Sequence, residues 1–144
     1  MASGVYLPTM EDILDSTALN LVWDAEDHQV ALYNSTRAAS ADYNSDTSYS
    51  STNEIVGTGY TAGGAVVEGT TFTRPGGGVL RFSSNAISWE GSTLSDVAHL
   101  DFYAAAVAGD PLMFGISISP VNTSDGTLLV TPHSNGLVTF DFTP

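Results

Sequence analysis

Residues 28–34, HQVALYN, carry the pattern that decides the fold of this chain. Val30 and Leu32 alternate with Ala31 and Tyr33, which is the two-residue period of a half-buried β-strand. Further apolar runs of similar length follow at regular spacing, and Gly, Pro, Asn and Asp separate them. This arrangement of short strands predicts an all-β protein, a single antiparallel β-sandwich.

The predicted strands extend in both directions from this run. They cover residues 19–23, 28–34, 65–73, 79–83, 85–91, 97–107, 111–119, 126–132 and 136–142. PGGG at 75–78 predicts a hairpin-like reversal between two of them. The alanines of 97–107 favour helix, but we assign a strand there because the segments on both sides are β. Between 35 and 54 the sequence predicts a long polar loop that two tyrosines anchor. In the last strand, the residues expected to face the core are Val138, Phe140 and Phe142.

The N-terminal part differs in character. Residues 1–8, MASGVYLP, predict an arm, and residues 9–144 are expected to form the single domain. Hydrogen-bond acceptors and acids at 9–12 favour the start of a short helix over 9–16. The residues of this helix expected to face inward are Met10, Ile13 and Leu14.

Charge excludes several partners. The chain has three arginines, no lysine and 16 acidic residues, for a formal net charge of −13. Nucleic acids and anionic membranes both bind cations, so neither partner is expected. The acidic excess is typical either of a soluble surface or of attraction to a basic partner surface. We expect neither a signal peptide nor a membrane span. The chain has no cysteine, so disulfides, thiolate metal sites and a cysteine nucleophile are excluded.

Catalytic patterns are weak. The histidines, His28, His99 and His133, lack the spacing that presents two imidazoles on one face. Asp101 follows His99 closely, but no serine lies in a Gly-x-Ser-x-Gly turn. The clustered carboxylates are typical of solvated turns and of a helix start. No catalytic residue is therefore assigned, and we expect the chain not to be an enzyme.

Metal and ligand patterns are also weak. Asp42, Asn44 and Asp46 have the alternate spacing of a calcium loop, but Thr47 and Asn53 replace the glycine and glutamate that such a loop requires. Capped turns explain the same residues, and neither a metal nor a cofactor is expected. The aromatic side chains, including Trp23 and Trp89, could form a carbohydrate platform, although their apolar surroundings favour the core.

Residues 52–64, TNEIVGTGYTAGG, form the most distinctive segment. Its glycines do not match the dinucleotide pattern Gly-x-Gly-x-x-Gly, because Ala62 occupies the third position, and no helix pattern follows. The glycines are therefore interpreted as turn or bulge residues with positive φ. Tyr60 is expected to pack inward, and Glu54 to cap a short turn.

This segment closely resembles the signature of a family of small virion proteins of tailed bacteriophages. In that family a VALY strand precedes a polar loop, the TNE-V-GTGYTAGG signature, a strand with tryptophan, a GDPL turn and a closing NGL strand. The resemblance spans about residues 28–140 in the same order. The matching positions are 30–33, 52–54, 56–64, 89, 109–112 and 135–137.

The resemblance implies a structural virion protein without catalytic residues. We expect a capsid decoration or minor capsid protein that stabilises the head shell and contacts the major capsid protein and copies of itself. It would be located in the virion after assembly in the host cytoplasm. The candidate assembly contacts are Val5, Tyr6 and Leu7, whose burial on a neighbour would contribute roughly 25 cal/mol per Å². The alternative for these three residues is a frayed terminus. The alternatives for the protein as a whole are a tail- or baseplate-associated structural protein and, in another class, a glycan-binding module.

Overall fold

Ten strands and two short helices make up the regular structure of residues 3–15 and 19–143, the part of the chain that the computed structural model describes. The strands are β1 (Gly4–Val5), β2 (Gln29–Tyr33), β3 (Ala65–Val66), β4 (Thr71–Gly76), β5 (Val79–Ser83), β6 (Ile87–Ser92), β7 (Val97–Tyr103), β8 (Leu112–Val121), β9 (Gly126–Val130) and β10 (Val138–Asp141). The helices are α1 (Leu7–Leu14) and α2 (Ser35–Ser40). The sheet orders are β1-β8-β7-β2-β3, β10-β5-β4 and β6-β9, and the strands pair antiparallel. The fold is an all-β sandwich with small helices, which confirms the predicted fold class.

One antiparallel ribbon passes through two of these sheets. β7 pairs with β8 and β6 pairs with β9, so that Trp89 lies opposite Leu128 and Val97 lies opposite Val121. The register shifts within both halves of the ribbon. At the bend, Asp96 has a φ of 58°. Such irregularities let paired strands turn from one sheet into another, and here they form a corner of the sandwich.

Trp23 joins the two larger sheets. Its ring stacks on Phe114 of β8, with centroids 6.5 Å apart, and on Phe72 of β4 at 5.4 Å. Phe82 and Phe140 pack edge-on against the same ring at 5.8 and 5.4 Å. Aromatic pairs in these geometries stabilise a core beyond the area they bury. This cluster therefore fastens the β10-β5-β4 sheet onto the five-stranded sheet.

β2 is buried on both faces. Val30 and Leu32 belong to the main core, whereas Ala31 and Tyr33 belong to a second cluster with Tyr6 and other residues. The alternation predicted from the sequence is confirmed, but the prediction of a half-buried strand was wrong. The second face is covered by the N-terminal segment and by the loop that follows α2, whose two tyrosines pack on that cluster as expected.

The N-terminal segment lies on its own domain. β1 pairs with β8, with Gly4 opposite Gly115, and the Tyr6 amide donates to the Met113 carbonyl at 3.1 Å. Residues 4 and 5 of the predicted arm are thus an edge strand of the sandwich, residues 7 and 8 begin α1, and residues 1 and 2 lie outside the described part.

The predicted helix is present with shifted bounds. It begins two residues earlier than expected, with a proline in its first turn, where no backbone donor is needed. Its predicted last residue, 16, lies outside the described residues. Met10 and Ile13 pack on the core as predicted. Leu14 is 81% exposed, so its inward placement was wrong; it is the last helical residue, beyond the part of the helix that packs on the core.

Helix α2 was missed by the sequence analysis. The side chain of Asn34 accepts hydrogen bonds from the backbone amides of Thr36 and Arg37, which is the arrangement of an N-cap. The six helical residues that follow lie where a polar loop was predicted. The signal in the sequence was the asparagine itself, but so short a helix depends on tertiary contacts.

Several strand predictions need correction. The predicted strand over 65–73 is two strands, β3 and β4, because Gly69 bends the chain between them with a φ of 63°, and the strand predicted over 97–107 ends at Tyr103. Residues 19–23 are irregular rather than a strand, because this segment brings Trp23 between the sheets without pairing with a neighbour. Phe142 lies beyond the end of β10 and is 67% exposed, although it was expected to face the core. Val138 and Phe140 pack on the core as predicted.

The predicted hairpin is confirmed. β4 and β5 pair antiparallel, with Gly76 opposite Val79. Gly77 and Gly78 connect them with φ values of 65° and 76°, which glycine adopts without steric cost. Within the described residues, no helix is long and apolar enough to cross a membrane.

Candidate functional site

Asp101 is a buried carboxylate in the middle of β7, with 1% of its surface exposed. Its Oδ2 accepts from Nε of Arg37 at 2.9 Å and lies 2.9 Å from Nη2 of the same guanidinium. Its Oδ1 accepts from the hydroxyl of Tyr6 at 2.5 Å and lies 2.9 Å from Nε2 of His99. Burial acts to raise the pKa of Asp101, but His99, Tyr6 and Arg37 together hold that pKa below its usual range. The carboxylate is therefore ionised and fully surrounded by partners.

Arg37 reaches this centre from α2. Its Nη1 donates to Asp46 at 2.6 Å and its Nη2 donates to the Tyr6 hydroxyl at 2.8 Å. Burial alone would lower the pKa of the guanidinium, but Asp101 and its other partners raise that pKa above its ordinary value. The Tyr6 hydroxyl has a raised pKa because it is buried and lies beside Asp101. We name Tyr6, Arg37, Asp46, His99 and Asp101 the arginine centre; it ties the N-terminal segment, α2 and β7 together.

The structure brings a serine, a histidine and an aspartate into contact. Ser117 Oγ lies 2.8 Å from His99 Nδ1, and Asp101 lies against the other ring nitrogen. A catalytic histidine must exchange protons with a substrate, yet His99 is 0% exposed and both of its nitrogens are engaged. The aspartate also pairs with Arg37, which holds its charge. We interpret the contact as a structural network.

Glu54 forms the second polar centre, inside the distinctive segment. Its Oε1 accepts from the Tyr60 hydroxyl at 2.5 Å and from the Gly63 amide at 2.7 Å, and its Oε2 accepts from the Tyr49 hydroxyl at 2.7 Å. The Tyr60 hydroxyl also accepts from the amide of Leu32 in β2 at 3.0 Å. Burial, with Glu54 beside it, raises the pKa of Tyr60. We name Glu54, Tyr49, Tyr60 and Gly63 the glutamate centre. Glu54 thus accepts hydrogen bonds from three groups of the surrounding turn and stabilises it. The Tyr60 ring packs on the core as predicted.

The glycines of this segment meet the backbone of neighbouring strands. Gly59, Gly63 and Gly64 have φ of 77°, 93° and 85°, which confirms the predicted turn geometry. A Cβ on Gly64 would lie 1.8 Å from the Val30 carbonyl oxygen. At Gly57 the prediction of a positive φ was wrong; this glycine is needed for space, because a Cβ there would lie 2.4 Å from the carbonyl oxygen of Thr93. The segment therefore lies closely against the sheet.

The residues with the spacing of a calcium loop, Asp42, Asn44 and Asp46, form hydrogen bonds within the protein. The two oxygens of Asp42 accept from the Asn44 amide and the Ser45 hydroxyl, at 2.9 and 2.7 Å. These bonds, that of Ser45 first, lower the pKa of Asp42. Asp46 accepts from Arg37, as described above. The residues form a capped turn beside the arginine centre, and the described residues contain no group of three or more His, Asp or Glu side chains that could hold a metal ion.

A polar cleft of about 460 Å³ lies beside the arginine centre. Its lining residues are Tyr33, Arg37, Ser40, Ser45, Asp46, Thr47, Ser48, Ser50, Thr52 and Asn53. Tyr33 is 1% exposed and offers no ring face to a ligand. The tryptophans proposed for a carbohydrate platform, Trp23 and Trp89, are 8% and 6% exposed. Both belong to the core, as the sequence favoured.

The candidate assembly contacts divide into different environments. Val5 is half-buried and packs on the core, and Tyr6 is 0% exposed, so Tyr6 is not accessible to a neighbouring molecule in this conformation. Leu7 is 54% exposed. Of the three, Leu7 is the side chain that the structure leaves accessible.

The arginine centre was not predicted from the sequence. Its members lie up to 95 residues apart, so no local pattern joins them. Two signals were present: Asp101 interrupts an apolar run, and Arg37 is one of only three cations in the chain. A carboxylate in a buried strand requires a partner, and an arginine is the strongest candidate.

No protein-family model matches this chain, and neither the curated proteins nor the solved structures contain a significant match to it.

Proposed function

We propose that this chain is a structural virion protein of a tailed bacteriophage, most specifically a decoration or minor capsid protein that stabilises the head shell. The observation that carries the proposal is the position of the segment 52–64, on which the family resemblance rests. Its glutamate accepts three hydrogen bonds, and its glycines lie against neighbouring backbone. These contacts stabilise the fold, so the segment that carries the resemblance has a structural role, which fits a structural virion protein.

The surface supports the same proposal. Among the residues that the structure describes, eight large apolar side chains are exposed: Leu7, Leu14, Val22, Val56, Val66, Val121, Leu129 and Phe142. They lie on a chain of net charge −13 without lysine, which disfavours nucleic acid and anionic membranes as partners. Exposed apolar groups on such a surface fit protein partners, the major capsid protein and other copies of the chain.

Quantitative mass spectrometry of purified particles tests this proposal. We expect the protein in a fixed ratio to the major capsid protein, together with easier rupture by heat or osmotic shock when its gene is deleted. Adding the purified wild-type protein back should restore resistance, and the Gly64→Ala variant, which we expect to be strongly destabilised, should restore less of it. A few copies per particle would contradict lattice decoration.

Tail or baseplate attachment is the nearest alternative. It shares the fold and the surface argument, and it predicts few copies that co-purify with isolated tails rather than with heads. Fractionation of disrupted particles separates the two locations.

Glycan binding is the alternative from another class. Because both tryptophans are buried, they cannot form a carbohydrate platform, and the observation that supports glycan binding is the polar cleft. A glycan array with the wild-type protein and with Asn53→Ala, a cleft residue, tests it. Binding that depends on Asn53 would favour this function over the shell.

A further inference from the structure

Two exposed surfaces of this chain carry opposite charge around apolar side chains. The first, the hairpin surface, consists of Arg74, Leu80 and Phe142, which together line a hollow of about 500 Å³. Within the described residues, Arg74 forms no ion pair, in contrast to Arg37. One of the chain's three arginines therefore lies without an ion-pair partner in the described residues, beside an exposed phenylalanine.

The second, the helix surface, consists of Leu7, Glu11 and Leu14 on α1. Residues four and seven positions apart lie on one face of a helix, so Glu11 lies between the two leucines. Leu7 is 54% and Leu14 81% exposed, and Glu11 is exposed too. No ion pair involves Glu11 among the residues that the structure describes. The inner face of α1 packs on the core, so this outer face is left without a partner.

We propose that the helix surface of one copy docks on the hairpin surface of a second copy. The leucines would cover Phe142 and the hollow beside it, and Glu11 would pair with Arg74. The inference rests on the proposed shell function and names the surfaces through which copies of the chain meet.

Charge selects a second copy as the occupant. Each chain carries 16 carboxylates, so two copies repel in most orientations. Within the described residues, the hairpin surface holds a cation without an ion pair, Arg74, and an acidic surface with apolar groups is its complement. The helix surface is such a complement on the same chain.

This contact joins two different surfaces. α1 packs against β8 of the five-stranded sheet, whereas the β4–β5 hairpin belongs to the β10-β5-β4 sheet. A heterologous contact of this kind repeats and forms rings or extended arrays, which is the behaviour needed on a shell.

Two variants separate the surfaces. The helix variant is Leu7→Glu with Leu14→Glu, and the hairpin variant is Arg74→Glu with Phe142→Glu. We expect the wild type to associate in sedimentation velocity runs at concentrations up to about 1 mM, where a dissociation constant of about 1 mM is detectable. Each variant alone should associate at least about tenfold more weakly.

Mixing the variants gives the decisive result. The helix variant keeps the hairpin surface and the hairpin variant keeps the helix surface, so a 1:1 mixture should form a heterodimer and no larger species. A contact between identical surfaces would not recover in this way. Val56→Glu, at a residue that is 94% exposed and in neither surface, is the matched control and should associate like the wild type.

Three results would overturn the inference: a wild type that stays monomeric over the whole range, variants that associate like the wild type, or a mixture without heterodimer. Thermal melts verify the folding of each variant, and Leu14→Ser and Phe142→Ser replace any double variant that fails to fold. Association of the purified protein decides this inference without particles, whereas copy number in particles decides the proposed function. Either can fail alone.

Discussion

The arginine centre and the glutamate centre satisfy a carboxylate in opposite ways. Asp101 is fully buried and takes donors from as far as 95 residues away, with Arg37 as its cation. Glu54 is half-buried and takes three donors from within nine residues, and no cation pairs with it among the described residues. The first centre therefore depends on tertiary assembly, whereas the second belongs to a local turn. In both centres the carboxylate is bonded to groups of its own domain. We therefore look for contacts with partners on the surface and not at these two carboxylates.

The largest effect is expected at the backbone around the glutamate centre. Gly64→Ala would place a Cβ 1.8 Å from the Val30 carbonyl oxygen at a φ of 85°. We expect the free energy of unfolding to fall by more than about 4 kcal/mol, measured by urea denaturation. Gly77→Ala is the matched control, because its φ is 65° but no atom of the described residues lies within 4 Å of its Cβ. Equal losses for the two variants would contradict a close approach at Gly64.

The next largest effect is expected in the arginine centre. Asp101→Ala leaves Arg37, Tyr6 and His99 with unsatisfied polar groups, so the free energy of unfolding should fall by roughly 3–5 kcal/mol. Asp27→Ala, at an exposed aspartate, should change it by less than about 0.5 kcal/mol. A loss of the same small size for Asp101→Ala would show that the centre does not stabilise the fold.

A smaller effect is expected for Glu54→Ala. Three donors lose their acceptor, but the turn is half-exposed and water can replace part of the bonding, so we expect a loss of about 1–3 kcal/mol. Hydrogen exchange sharpens the comparison. Asp101→Ala should increase exchange of the Tyr6 amide in the N-terminal segment, whereas Glu54→Ala should increase exchange of the Gly63 amide and leave Tyr6 protected. Increased exchange at both amides in both variants would contradict separate centres.

The smallest effect concerns pH. The pKa of Asp101 is lower in the folded state, so its ionised form stabilises the fold above the ordinary aspartate pKa of about 3.9. That contribution is lost as the pH falls through the folded pKa. The difference in free energy of unfolding between wild type and Asp101→Asn should therefore shrink as the pH falls from about 5 towards about 2, a range that spans the ordinary aspartate pKa. A difference that stays constant or grows would contradict the ion pair.

Local patterns predicted most strands but not their partners. The alternation in 28–34 and the glycines at 76–78 identify a strand and a hairpin, because the backbone geometry of both is set within a few residues. The ribbon that pairs 87–103 with 112–130 and turns between sheets has no such local signal. The same limit explains why Phe142 was placed in the core: its alternation is correct, but β10 ends before it.

The candidate sites follow the same rule. The glutamate centre lies within one segment, and the sequence indicated both its turn and the inward tyrosine. The arginine centre needs residues from the N-terminal segment, α2 and β7. Leu14 was expected to face inward with Met10 and Ile13 because of its position in the sequence. In so short a helix this pattern does not show at which end the contact with the core stops, and the packing of α1 leaves Leu14 exposed.

A density map of the intact particle tests the central claim most directly. The account predicts a sandwich domain of this fold at equivalent positions over the outer head shell, in contact with the major capsid protein. Density for the domain at the tail alone, or particles without it, would contradict that claim.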